Sequence, residues 1–366
     1  MKAAVLYKPK SKFVVEDVDV DEPKKGEVLV RMVAGGVCHS DLHVVKGDLD
    51  APFPIILGHE GAGIVETVGE GVTDFAKGDH VVPIWRASCG QCEWCSGGRP
   101  ALCDAAMEAR NAGCLPAGGS RFHKGSTEIR HWLCVSTFAS LSVMSEVSLV
   151  KIRKDIDLDK AALVGCGVVT GVGAVTNTAR VREGSSVAVI GTGGVGLNVI
   201  QGAAMVGAEK IIAVDVFDSK LELAREMGAT ETVNAKETDP VRRVRELTGG
   251  EGVDYSFEVI GVSETADQAV KMLRKRGVAV LVGLGSRKAA VTAKMLPMVM
   301  RETTVTGCMY GSARPRQEIP KLIDLYLTGE LKLDPLLTRS YPLEEINEAF
   351  DALERGENAR SVVTYS

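Results

Sequence analysis

The 366-residue chain lacks the features that would take it out of the ordinary globular class. No stretch approaches the roughly 18 apolar residues of a membrane span. The start, MKAAVLYKPKSKF, has too short an apolar run for a signal peptide. No block of like charges suggests a binding tail, and 43 Lys and Arg against 48 Asp and Glu leave a net charge of −5. That balance gives no basic footprint for nucleic acid. The 40 glycines follow no collagen-like period, and there is no internal repeat or low-complexity linker. What remains is a chain too long for one small core and suited to two domains. The expected location is cytoplasmic. In that reducing compartment a tight cysteine cluster is more readily a metal site than a set of disulfides.

Up to about Val150 the sequence is β-rich and punctuated by glycine. Val28, Val30 and Met32 alternate in EVLVRM, and GAGIVETVG and GDHVVPI end in turn residues, which predicts an irregular antiparallel domain. From about Gly184 the character changes. SSVAVIG, KIIAVDV, VDYSFEVIG and VAVLVGLG read as apolar strands. Between them GGVGLNVIQGAAMVGA, SKLELAREMGA and SETADQAVKMLRKRG read as helices. Strands buried on both faces and alternating with helices predict a parallel, doubly wound α/β sheet. The tail adds helices in QEIPKLIDLYLTG and EEINEAFDALERG and a last strand in SVVTYS.

The segment GTGGVG, Gly191 to Gly196, follows a strand and opens a helix, and Asp215 ends the next strand 19 residues past Gly196. In that context G-x-G-x-x-G predicts a dinucleotide site. Gly191 allows the tight turn, Gly193 lets the backbone approach a pyrophosphate, and Gly196 lets helix and sheet pack closely. With Gly194 they leave the helix N-terminus open to phosphate. A carboxylate at Asp215 suits ribose hydroxyls and repels a 2′-phosphate, which favours NAD over NADP.

Four of the nine cysteines fall in CGQCEWCSGGRPALC: Cys89, Cys92, Cys95 and Cys103. The spacing C-x2-C-x2-C-x7-C can surround one zinc ion tetrahedrally, and such a site is closed to substrate. It reads as a structural staple; an iron–sulfur cluster or unliganded thiols are the alternatives. Cys38 in GGVCHSDLH, His59 in GHEGAG and Cys166 in VGCGVVTG would each be unremarkable alone.

Together, however, GHEGAGIVETVGEGV, CHSDLH, the four-cysteine loop, VGCGVVTG, GTGGVG and FEVIG make the chain resemble the zinc-dependent medium-chain alcohol dehydrogenases. The likeness runs almost end to end and is nearest the long-chain, liver-type subgroup, which carries an extended loop such as Asp104 to Arg130. It implies a GroES-like irregular β catalytic domain (residues 1–167 and 309–366) and a Rossmann domain (168–308). By resemblance Cys38, His59 and Cys166 bind a catalytic zinc with its fourth position open, and the four-cysteine loop binds a structural zinc, two ions per chain. The alcohol ionises at the catalytic zinc, and hydride passes to C4 of the nicotinamide. Ser40 and His43 carry the proton to water. Asp41 and Glu60 orient and tune the metal site. Lys220 touches the adenosine ribose, Thr170 and Val195 pack on the nicotinamide, Val282 also binds the cofactor, and His39 and Arg360 meet the pyrophosphate. Liver-type relatives are homodimers joined through the nucleotide-domain sheets; shorter bacterial ones are tetramers.

Departures from the family pattern bear on the substrate. His39 stands where liver-type enzymes often carry arginine, so NADH release is expected to quicken as pH rises above the pKa of that imidazole. A release rate flat from about pH 6 to 9 in stopped flow would overturn this. Trp85 and Trp132 are expected to narrow the substrate pocket toward small primary or flat, aromatic alcohols. The alternative is a glutathione-dependent formaldehyde dehydrogenase, or a zinc-binding reductase acting on an aldehyde. In the glutathione-dependent enzymes an arginine of the long loop binds a substrate carboxylate; here that position is Met107, with Glu108 beside it and Arg110 three residues on. A zinc-free quinone reductase should lack both cysteine sets. Cys114, Cys134 and Cys308 have no assigned role.

Overall fold

The computed structural model describes residues 1–365. The chain divides into two compact units: Met1–Cys166 with Arg314–Gly329 and Leu337–Ser366, and Gly167–Ala313 with Glu330–Leu336. The expected boundaries shift in three places, the first by one residue, since Gly167 opens the second unit. Residues 309–313 belong to the second unit because the turn Tyr310–Ser312 lies against helix Val169–Gly173, where a Cβ on Gly173 would stand 2.5 Å from the Gly311 carbonyl. Residues 330–336 return to it because Gln201 brackets Lys332, accepting from its N–H at 2.8 Å and donating to its carbonyl at 3.1 Å.

The first unit is built around the 11-residue strand Glu27–Val37. Its alternate residues Val28, Val30 and Met32 face one core, and it pairs antiparallel with Glu60–Val68, Leu141–Ser145 and Arg360–Thr364. A second six-stranded sheet runs from the N-terminal strand Lys2–Leu6 to Thr127–His131 and Phe122–Lys124. Strand Lys2–Leu6, helix Ile346–Arg355 and Trp132 share one apolar core; Val28, Val30, Met32 and Val65 form another.

Two charged side chains sit deep in this unit. Arg121 and Glu27, each 1% exposed, form a bidentate pair, Nε to Oε2 at 2.9 Å and Nη2 to Oε1 at 2.6 Å. The backbone N–H of Arg121 donates to His131 Nε2 at 3.2 Å. Burial first, then the Arg121 charge, push the His131 pKa down to about 3. The folded protein therefore leaves this imidazole neutral at pH values where the unfolded chain protonates it, so stability falls as pH drops below about 6.5. Replacing His131 by Gln should flatten that loss by about 2 kcal/mol between pH 7.5 and 5, read as the pH dependence of urea unfolding. An unchanged slope would contradict the assignment.

The second unit carries a six-stranded, wholly parallel sheet. In spatial order its strands are Glu231–Asn234, Lys210–Asp215, Ser186–Ile190, Val253–Glu258, Leu273–Leu281 and Thr304–Gly307. Numbered along the chain this is 3-2-1-4-5-6, the doubly wound dinucleotide-binding order.

Three expectations need correction. The helix predicted through Gly277 ends at Met272, and Leu273–Leu281 is strand, with the charged residues Arg274, Lys275 and Arg276 turned outward. Strand Glu231–Asn234 and helix Pro240–Leu247 were not predicted, although Asp239 caps that helix by accepting from Arg242 N at 2.8 Å and Pro240 opens it. The continuous helical stretch Leu158–Ala179 is long and apolar enough to cross a membrane by length and composition; 83% of its most apolar window is buried within the protein, as in a core helix.

Candidate active site and metal centres

Strand Glu27–Val37 delivers Cys38 to the start of helix His39–Lys46, Gly58 turns the chain into His59 and Glu60, and Cys166 ends the first unit. The ligand atoms of Cys38, His59, Glu60 and Cys166 lie within 4.8 Å of one another, all buried. Cys166 Sγ is 3.6 Å from His59 Nε2. A tetrahedral zinc with bonds of 2.0–2.3 Å has N···S edges of about 3.6 Å and S···S edges of about 3.8 Å, so the spacing fits. On the far side of the ring, Nδ1 donates to Asp41 Oδ1 at 3.0 Å, fixing the tautomer that leaves Nε2 free for metal. Burial works against the charge on His59, but Asp41 and Cys38 raise its pKa to about 10. A hydrogen bond from Cys166 draws Cys38 well below its ordinary value and pushes Cys166 up. Binding zinc releases these shared protons.

Glu60, fully buried, pairs with Arg360 through Oε2, while its Oε1 has no hydrogen-bond partner. The arginine expected at a pyrophosphate thus holds this carboxylate in place. Gly36 was overlooked in the sequence: a Cβ there would stand 2.4 Å from Glu60 Oε2 and 2.7 Å from Glu60 Cβ. The doublet in GGVC was the available signal.

Ser40 Oγ lies 3.9 Å from Cys38 Sγ, and His43 follows three residues on along the same helix. His43 Nδ1 is 3.1 Å from Asp48 Oδ2, a partner the sequence did not suggest. His39 is exposed. Trp85 stands edge-on to His59, ring centroids 6.2 Å apart, and favours the thiolate of Cys166. Trp132, 7% exposed, belongs to the core of the N-terminal strand, whereas Trp85 packs on the other core; Leu133 packs against both.

Cys89 Sγ lies 4.0 Å from Cys95 Sγ and 3.7 Å from Cys103 Sγ, and Cys92 Sγ 3.8 Å from Cys103 Sγ, close to tetrahedral zinc edges and far beyond the ~2.05 Å of a disulfide. Backbone N–H groups of Gln91 and Cys92 lower the Cys89 pKa to about 6, favouring the thiolate a metal needs. Arg86 braces the loop from within, donating to the carbonyls of Ala101 and Cys103. Arg110, the loop cation nearest to Met107, is buried, whereas Met107 and Glu108 are exposed.

In the second unit the glycine turn sits where the strand order reverses. Asp215 Oδ2 accepts from Thr192 N and Oγ1 at 2.8 and 2.9 Å, and its Oδ1 accepts from Val216 N at 2.7 Å. Helix Gly194–Met205 starts without a side-chain cap. A Cβ at Gly193 would meet nothing within 4 Å; one at Gly196 would stand 1.9 Å from the Gly191 carbonyl. Gly193→Ala should therefore fold normally and raise the KM for NAD at least about tenfold, whereas Gly196→Ala should cost about 1–3 kcal/mol of stability. Melting temperature and cofactor titration separate the two, and equal melting temperatures would sink the distinction. Thr170 and Val195 lie on helices that meet at Gly171, whose Cβ would stand 2.5 Å from the Val195 carbonyl. Lys220 stacks over Phe217 with Nζ 5.0 Å from the ring centre, and Val282 N donates to the Glu258 carbonyl at 2.8 Å.

A dinucleotide-type parallel sheet in one unit, and in the other two cysteine-rich clusters with the spacing to hold zinc, fit a zinc-dependent dehydrogenase. The alcohol dehydrogenase GroES-like domain model matches residues 24–154, and the zinc-binding dehydrogenase model matches residues 194–328. S-(hydroxymethyl)glutathione dehydrogenases of Synechocystis sp. and Photobacterium damsela subsp. piscicida are each 40% identical to this chain over 367 residues, covering 100% of it and 99% of their own length. The crystal structure of benzyl alcohol dehydrogenase from Acinetobacter calcoaceticus superposes with a TM-score of 0.94 at 34% identity, covering 100% of this chain and 99% of that one. The chain belongs to the zinc-dependent medium-chain alcohol dehydrogenases, in their long-chain subgroup. It is an oxidoreductase of that zinc family.

Proposed function

We propose that the protein oxidises flat primary alcohols, benzylic ones foremost, to aldehydes with NAD, and runs the reverse reaction. The observation that carries this is the three-ligand set Cys38, His59 and Cys166, oriented by Asp41 and walled by the Trp85 indole. Zinc held by these residues would supply a Lewis acid that lowers the pKa of a bound hydroxyl. Ser40 would accept the hydroxyl proton while giving up its own, passed by way of the cofactor ribose to His43, which Asp48 steadies. The Trp85 indole offers a flat apolar wall and leaves little room for branching at the reacting carbon. Asp215 and the open helix start at Gly194 hold the cofactor's ribose and phosphates, and His39 and Arg360 are assigned to the pyrophosphate by resemblance.

A second reading, oxidation of a thiol adduct of formaldehyde, is favoured by the relatives named for S-(hydroxymethyl)glutathione. Against it, Met107 stands where a carboxylate-binding arginine is expected, and Arg110 is buried. NADH formation at 340 nm over an alcohol panel, with NAD and NADP compared, and metal analysis of the same sample test both. Two zinc ions per chain and turnover of benzyl alcohol with NAD support the first reading. Activity only with formaldehyde plus glutathione overturns it in favour of the second.

Nine free cysteines accord with a reducing, cytoplasmic setting. A homodimer is proposed through the edge strand Thr304–Gly307 and the apolar face of helix Met295–Arg301, where Met295 is 81% and Leu296 72% exposed. Light scattering distinguishes it from a tetramer.

A further inference from the structure

In the second unit, a cavity of about 410 Å³ opens between helices Pro240–Leu247, Ser263–Met272 and Met295–Arg301, away from the glycine turn. Its apolar lining is Val241, Val270, Pro297 and Met298. Its rim carries four cations, Arg245, Lys271, Lys294 and Arg301, and one anion, Asp267. Four positive charges against one leave a local excess of three on a protein whose net charge is −5.

Asp267 offsets only one of these charges, drawn on by Lys271 one helical turn along. Both of its oxygens are taken by Thr292, Oδ1 from the backbone N–H at 2.8 Å and Oδ2 from the hydroxyl. The guanidinium groups are anchored on carbonyls: Arg245 Nη2 donates to Lys271 O at 2.8 Å, and Arg301 Nη2 to Leu273 O at 2.7 Å. Arg245 Nη1 also donates to the Gly250 carbonyl at 3.4 Å, and among the described residues the other N–H donors of the two groups remain for another acceptor. Burial and the neighbouring Arg301 both work against the charge on Arg245, so the two guanidinium groups repel each other across the rim. The nearby Glu302 is engaged with Arg276, 3.8 Å away, and Glu251 only attracts Arg245 from a distance. Clustered like charge beside an apolar lining focuses the field on an incoming anion. Helical spacing puts Pro297, Met298 and Arg301 on the half of their helix opposite Met295, Leu296, Val299 and Met300, so the cavity is separate from the proposed dimer face.

We propose that this cavity binds a small organic anion, a phosphate or carboxylate group carried on an apolar body. Nothing in the dehydrogenase chemistry requires such a site, and the assignment stands apart from the choice of alcohol.

The test is calorimetric titration of the zinc-loaded, NADH-saturated protein with octyl phosphate, octanoate and inorganic phosphate. One alkyl anion per chain is expected, with a Kd on the order of 0.1 mM that weakens as salt rises. Arg245→Gln and Lys294→Gln should each weaken it about tenfold and leave kcat for the best alcohol unchanged. Lys294 is exposed, so its variant serves even if Arg245→Gln fails to fold. Preference for octyl phosphate over octanoate, or the reverse, identifies the head group; either supports the site. Binding equal in wild type and Lys294→Gln overturns it, as does no binding up to about 5 mM. Inorganic phosphate binding as tightly as octyl phosphate also overturns it, because the apolar lining would then contribute nothing.

Discussion

Glu27→Ala should destabilise the protein by about 3–5 kcal/mol, one of the largest losses expected of any single replacement outside the metal ligands. The pair it breaks is 1% exposed on both sides and bidentate. Removing the carboxylate strands a guanidinium that water cannot reach, and its two remaining acceptors, the Gly118 and Ser120 carbonyls, carry only partial charge. Glu27 Oε2 also accepts from Lys24 N at 2.9 Å, so the turn entering strand Glu27–Val37 loses a bond as well. Arg121→Met should cost less than Glu27→Ala, because it leaves a carboxylate that still has that N–H donor. The double replacement by apolar residues should recover much of the loss, since a buried pair exchanged for packing is often neutral. Urea unfolding of the two single variants and the double variant measures this. A Glu27→Ala loss below about 1 kcal/mol would mean that water reaches the site.

Nothing in the sequence announced that pair. Glu27 and Arg121 lie 94 residues apart, and each alone reads as an ordinary surface charge. The two cysteine-rich clusters were legible for the opposite reason. Cys89 to Cys103 are close in the chain, while Cys38, His59 and Cys166 sit in motifs that together resemble one family. The strands Ser186–Ile190, Lys210–Asp215 and Val253–Glu258 were visible as apolar runs bounded by glycine or turn residues. Glu231–Asn234 was not, because a four-residue edge strand with one fully buried side chain leaves no apolar run. Helix Leu158–Ala179 escaped because valine and glycine dominate it, residues that speak against helix locally and are overruled by burial. The charged start of Leu273–Leu281 read as the continuation of a helix for the same kind of reason: Arg274, Lys275 and Arg276 face outward, and pairing with Val253–Glu258 decides the conformation.

Asp41→Asn should weaken the catalytic zinc about 10- to 100-fold, with kcat/KM falling alongside in protein that is not saturated with metal. Asp41 is 0% exposed, and its Oδ1 accepts from both His59 Nδ1 at 3.0 Å and Gly58 N at 3.3 Å. An asparagine can keep those two bonds through its amide oxygen. It loses the charge that makes the imidazole a strong donor. It also places an NH2 group where Oδ2 now sits buried without a partner, adding an unsatisfied donor to the cost. The four-cysteine site has no part in this network, so mild chelation should reduce the variant from two zinc ions per chain to one while wild type keeps both. Excess zinc should then restore most of the activity, which marks Asp41 as a residue that positions a ligand and not as one that moves the substrate proton. A variant that keeps two ions under chelation yet loses activity would reverse that assignment and bring Asp41 into the proton path.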